Sequence, residues 1–218
     1  MCIRDRYSRN PFTGLIQEYK IRFPVNMPVK HYISDVEYDK ILRTAQSEKY
    51  RIARIFIQVA RYTGLRPDEI YRLDVSNIDR EKLAWEFLVT KTKEQPYYRK
   101  IGIPKCLVDF IDEEKITGKL PISEASVKRQ LIKIREESGL DGGMKSKRIT
   151  PKTFRKDDAN RMEEAGAPED TIDLHQGRGR HTVAAEHYLK HPMRAVIKCR
   201  PYINAMCGEN EKQLRLVG

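Results

Sequence analysis

The sequence predicts an α+β domain, mainly α-helical, with a small three-stranded antiparallel sheet. Three observations lead there. Helix caps and helical periodicity fill the chain on both sides of residues 75–103. Between them lie three runs of β-forming residues separated by polar turns. The 218 residues are 39% hydrophobic, which is enough for one buried core and argues against wholesale disorder.

Ser34 and Glu37 have the spacing of a capping box, so a short helix should run to about Ala45. Residues 48–63 carry Ile52, Ile55, Phe56 and Val59 at helical spacing, and Gly64 supplies the stop. Pro67 suits the first turn of another short helix holding Asp68, Glu69, Ile70 and Leu73. Strands are expected at 75–79, 84–90 and 97–103, with a hairpin loop over 91–96. Helices then follow at 104–116, from Ser123 to about 138, and from Pro151 to Ala165 behind Thr150. Further helices are expected at 168–174, 182–189 and from Pro192 to about Met206. Residues 141–148 and 176–180 read as basic, glycine-bearing loops. The first 33 residues have no clear periodicity and read as an arm or linker.

Lys and Arg number 42 against 31 Asp and Glu, a formal net charge of +11. A cationic domain most often meets a polyanion, and nucleic acid is the first candidate. No run reaches the roughly 20 apolar residues that a membrane-crossing helix needs. No signal segment opens the sequence, so no membrane partner and a cytoplasmic location are expected. The four cysteines, Cys2, Cys106, Cys199 and Cys207, form no CxxC pair and read as free thiols.

Four basic clusters stand apart in the chain. Thr63-Gly64-Leu65-Arg66-Pro67-Asp68-Glu69-Ile70 puts an arginine at a sharp corner between helices. Thr90-Lys91-Thr92-Lys93 puts lysines at a hairpin tip. Lys152-Thr153-Phe154-Arg155 sets two cations on one helix face. Gln176-Gly177-Arg178 offers an arginine in a glycine turn, and Tyr188 follows ten residues later. Each alone has a plain structural explanation: a helix cap, a soluble hairpin, a solvated face, a core aromatic.

Together and in this order they resemble the catalytic domain of the tyrosine recombinases, the family of phage integrases and Xer-type recombinases. The resemblance covers residues 33–190 and is densest in the Thr63–Ile70 corner. It implies that Tyr188 is the nucleophile and that Arg66, Lys91, Lys152, Arg155 and Arg178 complete the catalytic set. Glu69 would support a basic group. Lys93, Lys147, Arg148, Lys156 and Arg180 would track the DNA backbone. Most members have His where Lys152 stands and His or Trp where Arg178 stands, and the gap to the tyrosine is here one residue longer. Lys and Arg at these places resemble archaeal-virus-type integrases. His175, Arg180 and His181 are alternatives for the Arg178 role, and Tyr202 is the alternative nucleophile.

The chemistry suits those residue types. A phosphodiester gains negative charge on its non-bridging oxygens during displacement, and arginine's planar fork holds two such oxygens without losing its proton. A phenol with a pKa of about 10 needs nearby cations to attack as its oxyanion near neutral pH. The resemblance implies site-specific recombination of double-stranded DNA through a 3′-phosphotyrosyl intermediate, without metal or other cofactor, by a self-associating tetramer. It also implies a division into a linker (1–33, its usual N-terminal DNA-binding domain absent or truncated), a catalytic domain (34–190) and a tail helix (191–218). The apolar residues of that tail fit docking on a neighbouring protomer or packing in cis. A non-catalytic DNA-binding relative, topoisomerase-like relaxation and a chance likeness in an unrelated nucleic-acid binder are the alternative readings. His187 and His191, four apart, read as helix surface near DNA rather than as metal ligands.

Overall fold

A computed structural model describes residues 33–90, 96–140, 149–178 and 192–207. The chain divides into two units, Met1–His31 and Tyr32–Gly218, and every described residue belongs to the second. The expected arm, hairpin tip, 141–148 loop and 182–189 helix lie outside the described residues.

Helix α1 spans Asp35–Ala45. Its capping box is present: the Ser34 hydroxyl accepts from Glu37 N–H at 3.3 Å, and the Glu37 carboxylate accepts from Ser34 N–H at 2.9 Å. After a 3₁₀ turn at Glu48–Tyr50 comes α2, Arg51–Thr63. This helix is the hub, with Ile55, Phe56, Ile57 and Val59 fully buried. Its buried Arg54 meets Glu114 at 2.7 Å and donates to the carbonyls of Ala45 and Gln46, closing the C-terminus of α1. Gly64 ends α2 at φ 55°, and the short α3, Pro67–Ile70, turns away from it.

The sheet has the order β1 (Ile78–Asp79), β2 (Ala84–Val89), β3 (Tyr97–Gly102), all antiparallel. Trp85 pairs with Ile101, Phe87 with Arg99 and Val89 with Tyr97 on the inner face. Glu86–Lys100 and Leu88–Tyr98 form the outer face. Residues 75–79 are not the strand expected. Val75–Asn77 is a 3₁₀ turn because the Asp74 carboxylate captures Ser76 N–H at 2.9 Å, leaving two residues to pair.

Helices α4 (Lys105–Glu113), α5 (Glu124–Glu137), α6 (Pro151–Glu164), α7 (Glu169–Gln176) and α8 (Pro192–Ala205) complete the fold. Ser123 caps α5, with its hydroxyl accepting from Ser126 N–H. The main core joins α1 to α5, the sheet and Phe154 of α6. A second cluster, Met162, Ala167, Ile172, Cys199, Ile203 and Met206, locks α6, α7 and α8 together. Of the two dockings open to the tail, Val196, Ile203 and Met206 pack in cis. Tyr202 is only partly exposed and packs against the second cluster. Gly102 gives α8 a bare patch of β3: a Cβ there would lie 3.2 Å from Ile203 Cδ1.

Two further expectations are corrected. Helix α7 runs two residues past Leu174, because His175 and Gln176 turn inward to Asp158 instead of opening a loop. Cys106 and Cys207 are joined in a disulfide with Cα atoms 6.6 Å apart, tying the start of α4 to the chain just past α8. Their sequence separation of 101 hides a pairing that only tertiary packing creates. Cys199 is free and buried, as expected of a small apolar residue. Among the described residues no helix is long and apolar enough to cross a membrane.

Candidate active site

The site forms where three chain segments meet: the corner after α2, the first turns of α6, and the end of α7. Arg66 stands just before α3 with extended backbone, φ −68° and ψ 144°. Glu69, one turn on, is buried, and its carboxylate takes Arg66 N–H at 2.7 Å and Arg66 Nη1 at 3.1 Å. The same carboxylate therefore caps the start of α3 and aims the arginine. Pro67, at the first turn, adds a fixed φ where no N–H is needed.

Arg155 projects from the second turn of α6 into the gap between the other two segments. Nη1 donates to Gly64 O at 2.6 Å and Nη2 donates to Gln176 O at 2.7 Å. One planar fork thus joins the α2–α3 corner to the C-terminus of α7. Burial lowers its guanidinium to about 10; Arg66, Arg178 and Arg99 push the same way and Glu69 opposes them. It stays protonated at neutral pH. Lys152 and Lys156 lie on α6 with exposed side chains, free to face a ligand in solvent.

Arg178 follows Gly177, which ends α7 in left-handed conformation at φ 62°. Gly177 N–H donates to Leu174 O at 3.3 Å and Arg178 N–H to Asp173 O at 2.8 Å, the double bond pattern of a Schellman turn. The backbone of Arg178 is therefore set by the end of a helix. His175, an alternative for the same role, is buried, with Nε2 3.3 Å from Asp158 Oδ1. It faces the interior and offers nothing to a ligand at the surface. Burial disfavours its charge, but Asp158 beside it, with Cys199 adding, outweighs that and raises His175 to about 9. Lys91, Lys93, Lys147, Arg148, Arg180, His181 and Tyr188 lie outside the described residues.

Beneath the site Gln176 Nε2 donates to both Arg155 O and Asp158 Oδ2 at 2.7 Å. Asp158 also fills the space where a side chain at position 64 would go. Gly64→Ala would put a Cβ onto the Asp158 carboxylate at a φ that costs a non-glycine residue roughly 1–2 kcal/mol. We expect a loss of stability beyond that strain, read as a lower midpoint in urea. A midpoint equal to the parent's would contradict the packing described.

One residue of this cluster has no counterpart in the sequence reading. Arg99, on the inner face of β3, donates through Nη2 to Leu174 O at 2.8 Å and to His175 O. The missed signal is the alternation of the strand: Tyr97, Arg99 and Ile101 share the inner face, where a cation demands a reason. Outside the cluster, the exposed Arg72 donates to the Thr90 hydroxyl just past the end of β2.

The sheet on a helical frame, with guanidinium groups gathered from a helix corner, a helix face and a glycine turn, is the build of a tyrosine-recombinase catalytic domain. The fold is similar to that of XerA recombinase (TM-score 0.55, 19% identity), over 81% of this chain and 71% of that one. It is similar to the Tn1549 transposon integrase, solved in complex with transposon right end DNA (TM-score 0.57, 15% identity), over 86% and 72%. It is similar also to the integrase from mycobacterium phage Brujita (TM-score 0.57, 15% identity), over 89% and 72%. A search of curated protein sequences finds no match. The model of the phage integrase family matches residues 31–192, and the chain belongs to that family. Site-specific DNA recombination is the activity that goes with this membership.

Proposed function

We propose that this domain cuts and rejoins double-stranded DNA through Tyr188, with Arg66, Arg155 and Arg178 holding the scissile phosphate. The observation that supports this most is the fork of Arg155, bonded at once to Gly64 O and Gln176 O. Those two bonds tie the corner that precedes Arg66 and the helix end that precedes Arg178 to one side chain, Arg66 and Arg178 both act on its charge, and a guanidinium still has N–H groups left for phosphate oxygens.

In the proposed step Tyr188 gives its phenolic proton to solvent, and its oxygen attacks phosphorus and forms a 3′-phosphotyrosyl bond while the bond to the 5′ oxygen breaks. Lys91 gives that oxygen its proton as it leaves. Lys152 adds a donor at the mouth of the site, and the cations lower the cost of the phenolate. The phosphotyrosyl bond conserves the energy of the broken one, so a 5′-hydroxyl from a partner strand can reverse the attack and exchange strands. Lys93, Lys147, Arg148, Lys156 and Arg180 are assigned to the flanking backbone, and strand exchange calls for several copies on the DNA.

A nicked duplex that loses a short 5′-hydroxyl strand after cleavage traps the intermediate. The expected product is a protein–DNA adduct that survives denaturation in the parent and is absent from Tyr188→Phe. DNA binding without any adduct would favour a non-catalytic relative. An adduct persisting in Tyr188→Phe would move the nucleophile elsewhere, with Tyr202 next to test.

A further inference from the structure

We propose that Arg99 is a positioning residue for strand cleavage: it holds the C-terminus of α7 against β3 and so sets where Arg178 stands. This rests on the catalytic reading above and deepens it.

The last carbonyls of a helix have no partner within it and carry its negative end. In α7 the carbonyls of Leu174 and His175 are both taken by Arg99 Nη2, and that of Gln176 by Arg155 Nη2. Two guanidinium groups, one from β3 and one from α6, thus close the same helix end. Gly177 comes so near Arg99 Nη1 that a Cβ at this position would overlap the guanidinium. Arg178 is the next residue, and its own N–H is already committed to Asp173 O. Two residues, Gln176 and Gly177, separate the last carbonyl held by Arg99 from the arginine it places.

The origin of the clamp also carries meaning. Arg99 sits opposite Phe87, and its guanidinium lies 5.7 Å from that ring. Burial draws its pKa below the ordinary arginine value, while Glu69 pulls the other way, so Arg99 shares its electrostatic surroundings with the Arg66–Glu69 pair. Strands β2 and β3 are the two arms of the hairpin that bears Lys91. One strand therefore carries both an arm of the proposed acid's hairpin and the clamp on the proposed phosphate ligand. A displacement of about 1 Å in such a group is enough to cost on the order of 10²-fold in rate.

The test is a double-mutant cycle on adduct formation at saturating nicked duplex. Arg99→Met in the parent is expected to slow cleavage on the order of 10²-fold with DNA affinity within about threefold, since the group it moves acts on the transition state. In an Arg178→Ala background the same change is expected to cost less than about threefold, since the residue it positions is gone. Arg99→Lys, which keeps the charge and can reach one carbonyl, should recover part of the rate. If Arg99→Met does not fold, Arg99→Lys in the two backgrounds is read by the same comparison. Equal losses in both backgrounds, as a purely structural arginine would give, overturn the proposal. So does a parent-like rate in Arg99→Met. If the parent itself forms no Tyr188-dependent adduct, the catalytic reading falls and this one with it. A Tyr188-dependent adduct indifferent to Arg99 sinks this proposal alone.

Discussion

Arg155→Ala is expected to form the covalent adduct on the order of 10³-fold more slowly than the parent, and to be less stable. The rate follows from charge: removing one preorganised donor from a developing oxyanion typically costs about 10²–10³-fold, and Arg155 is also the bond between the other two arginine-bearing segments. The stability loss follows from what is left behind. Gly64 O and Gln176 O each lose a charged donor in a part-buried place, at about 1–3 kcal/mol for each carbonyl left unsatisfied. Single-turnover cleavage and denaturant unfolding on the same preparations separate the two effects. Arg155→Lys keeps a positive charge without the fork, so it should lie between alanine and parent in both. An alanine variant that cleaves at the parental rate would remove Arg155 from the phosphate clamp.

Asp158→Asn is expected to cost about 3–5 kcal/mol of stability at pH 6.5, the usual range when one partner of a buried ion pair is removed. It should also change how stability depends on pH. His175 titrates near 9 in the folded chain and near 6.5 unfolded, so its contribution is complete below pH 6.5 and disappears as the pH rises to about 9. Across that window the parent should lose up to about 3 kcal/mol from this group. The amide of Asp158→Asn can still accept from Gln176 but offers His175 no charge, so the variant should lack this part of the slope. Urea unfolding at pH 6.5, 7.5 and 9 measures both curves. Parallel curves for parent and variant would mean that the pair does not form.

Much of the frame is legible in the sequence because its signals are local. Ser34, Gly64, Ser123 and Thr150–Pro151 mark helix ends within a residue or two of where they fall. Arg66 with Glu69 is legible for the same reason, since a carboxylate three residues past a helix start reaches back to it. What escapes is decided by contact between distant segments. The buried pairing of Asp158 with His175 and Gln176 requires α6 and α7 to be packed before either polar group has a partner. The strand expected over 75–79 fails because one side chain, Asp74, competes for the backbone. Arg99 is hidden for a different reason: in a run rich in tyrosine and cations, a single inward cation reads as one more surface charge.

The carbonyls of Gly64, Leu174, His175 and Gln176 that hold Arg99 and Arg155 belong to the main chain. Every amino acid has that group, so the anchoring bonds do not depend on side-chain identity; Gly64 is tied to its residue type by φ 55°, and His175 and Gln176 by their side-chain contacts with Asp158 and Arg155 O. Sequence change is thus tolerated by the anchoring bonds themselves and limited at Gly64, His175 and Gln176 by what else those residues do. The fold itself is shared with solved structures at only 15–19% identity.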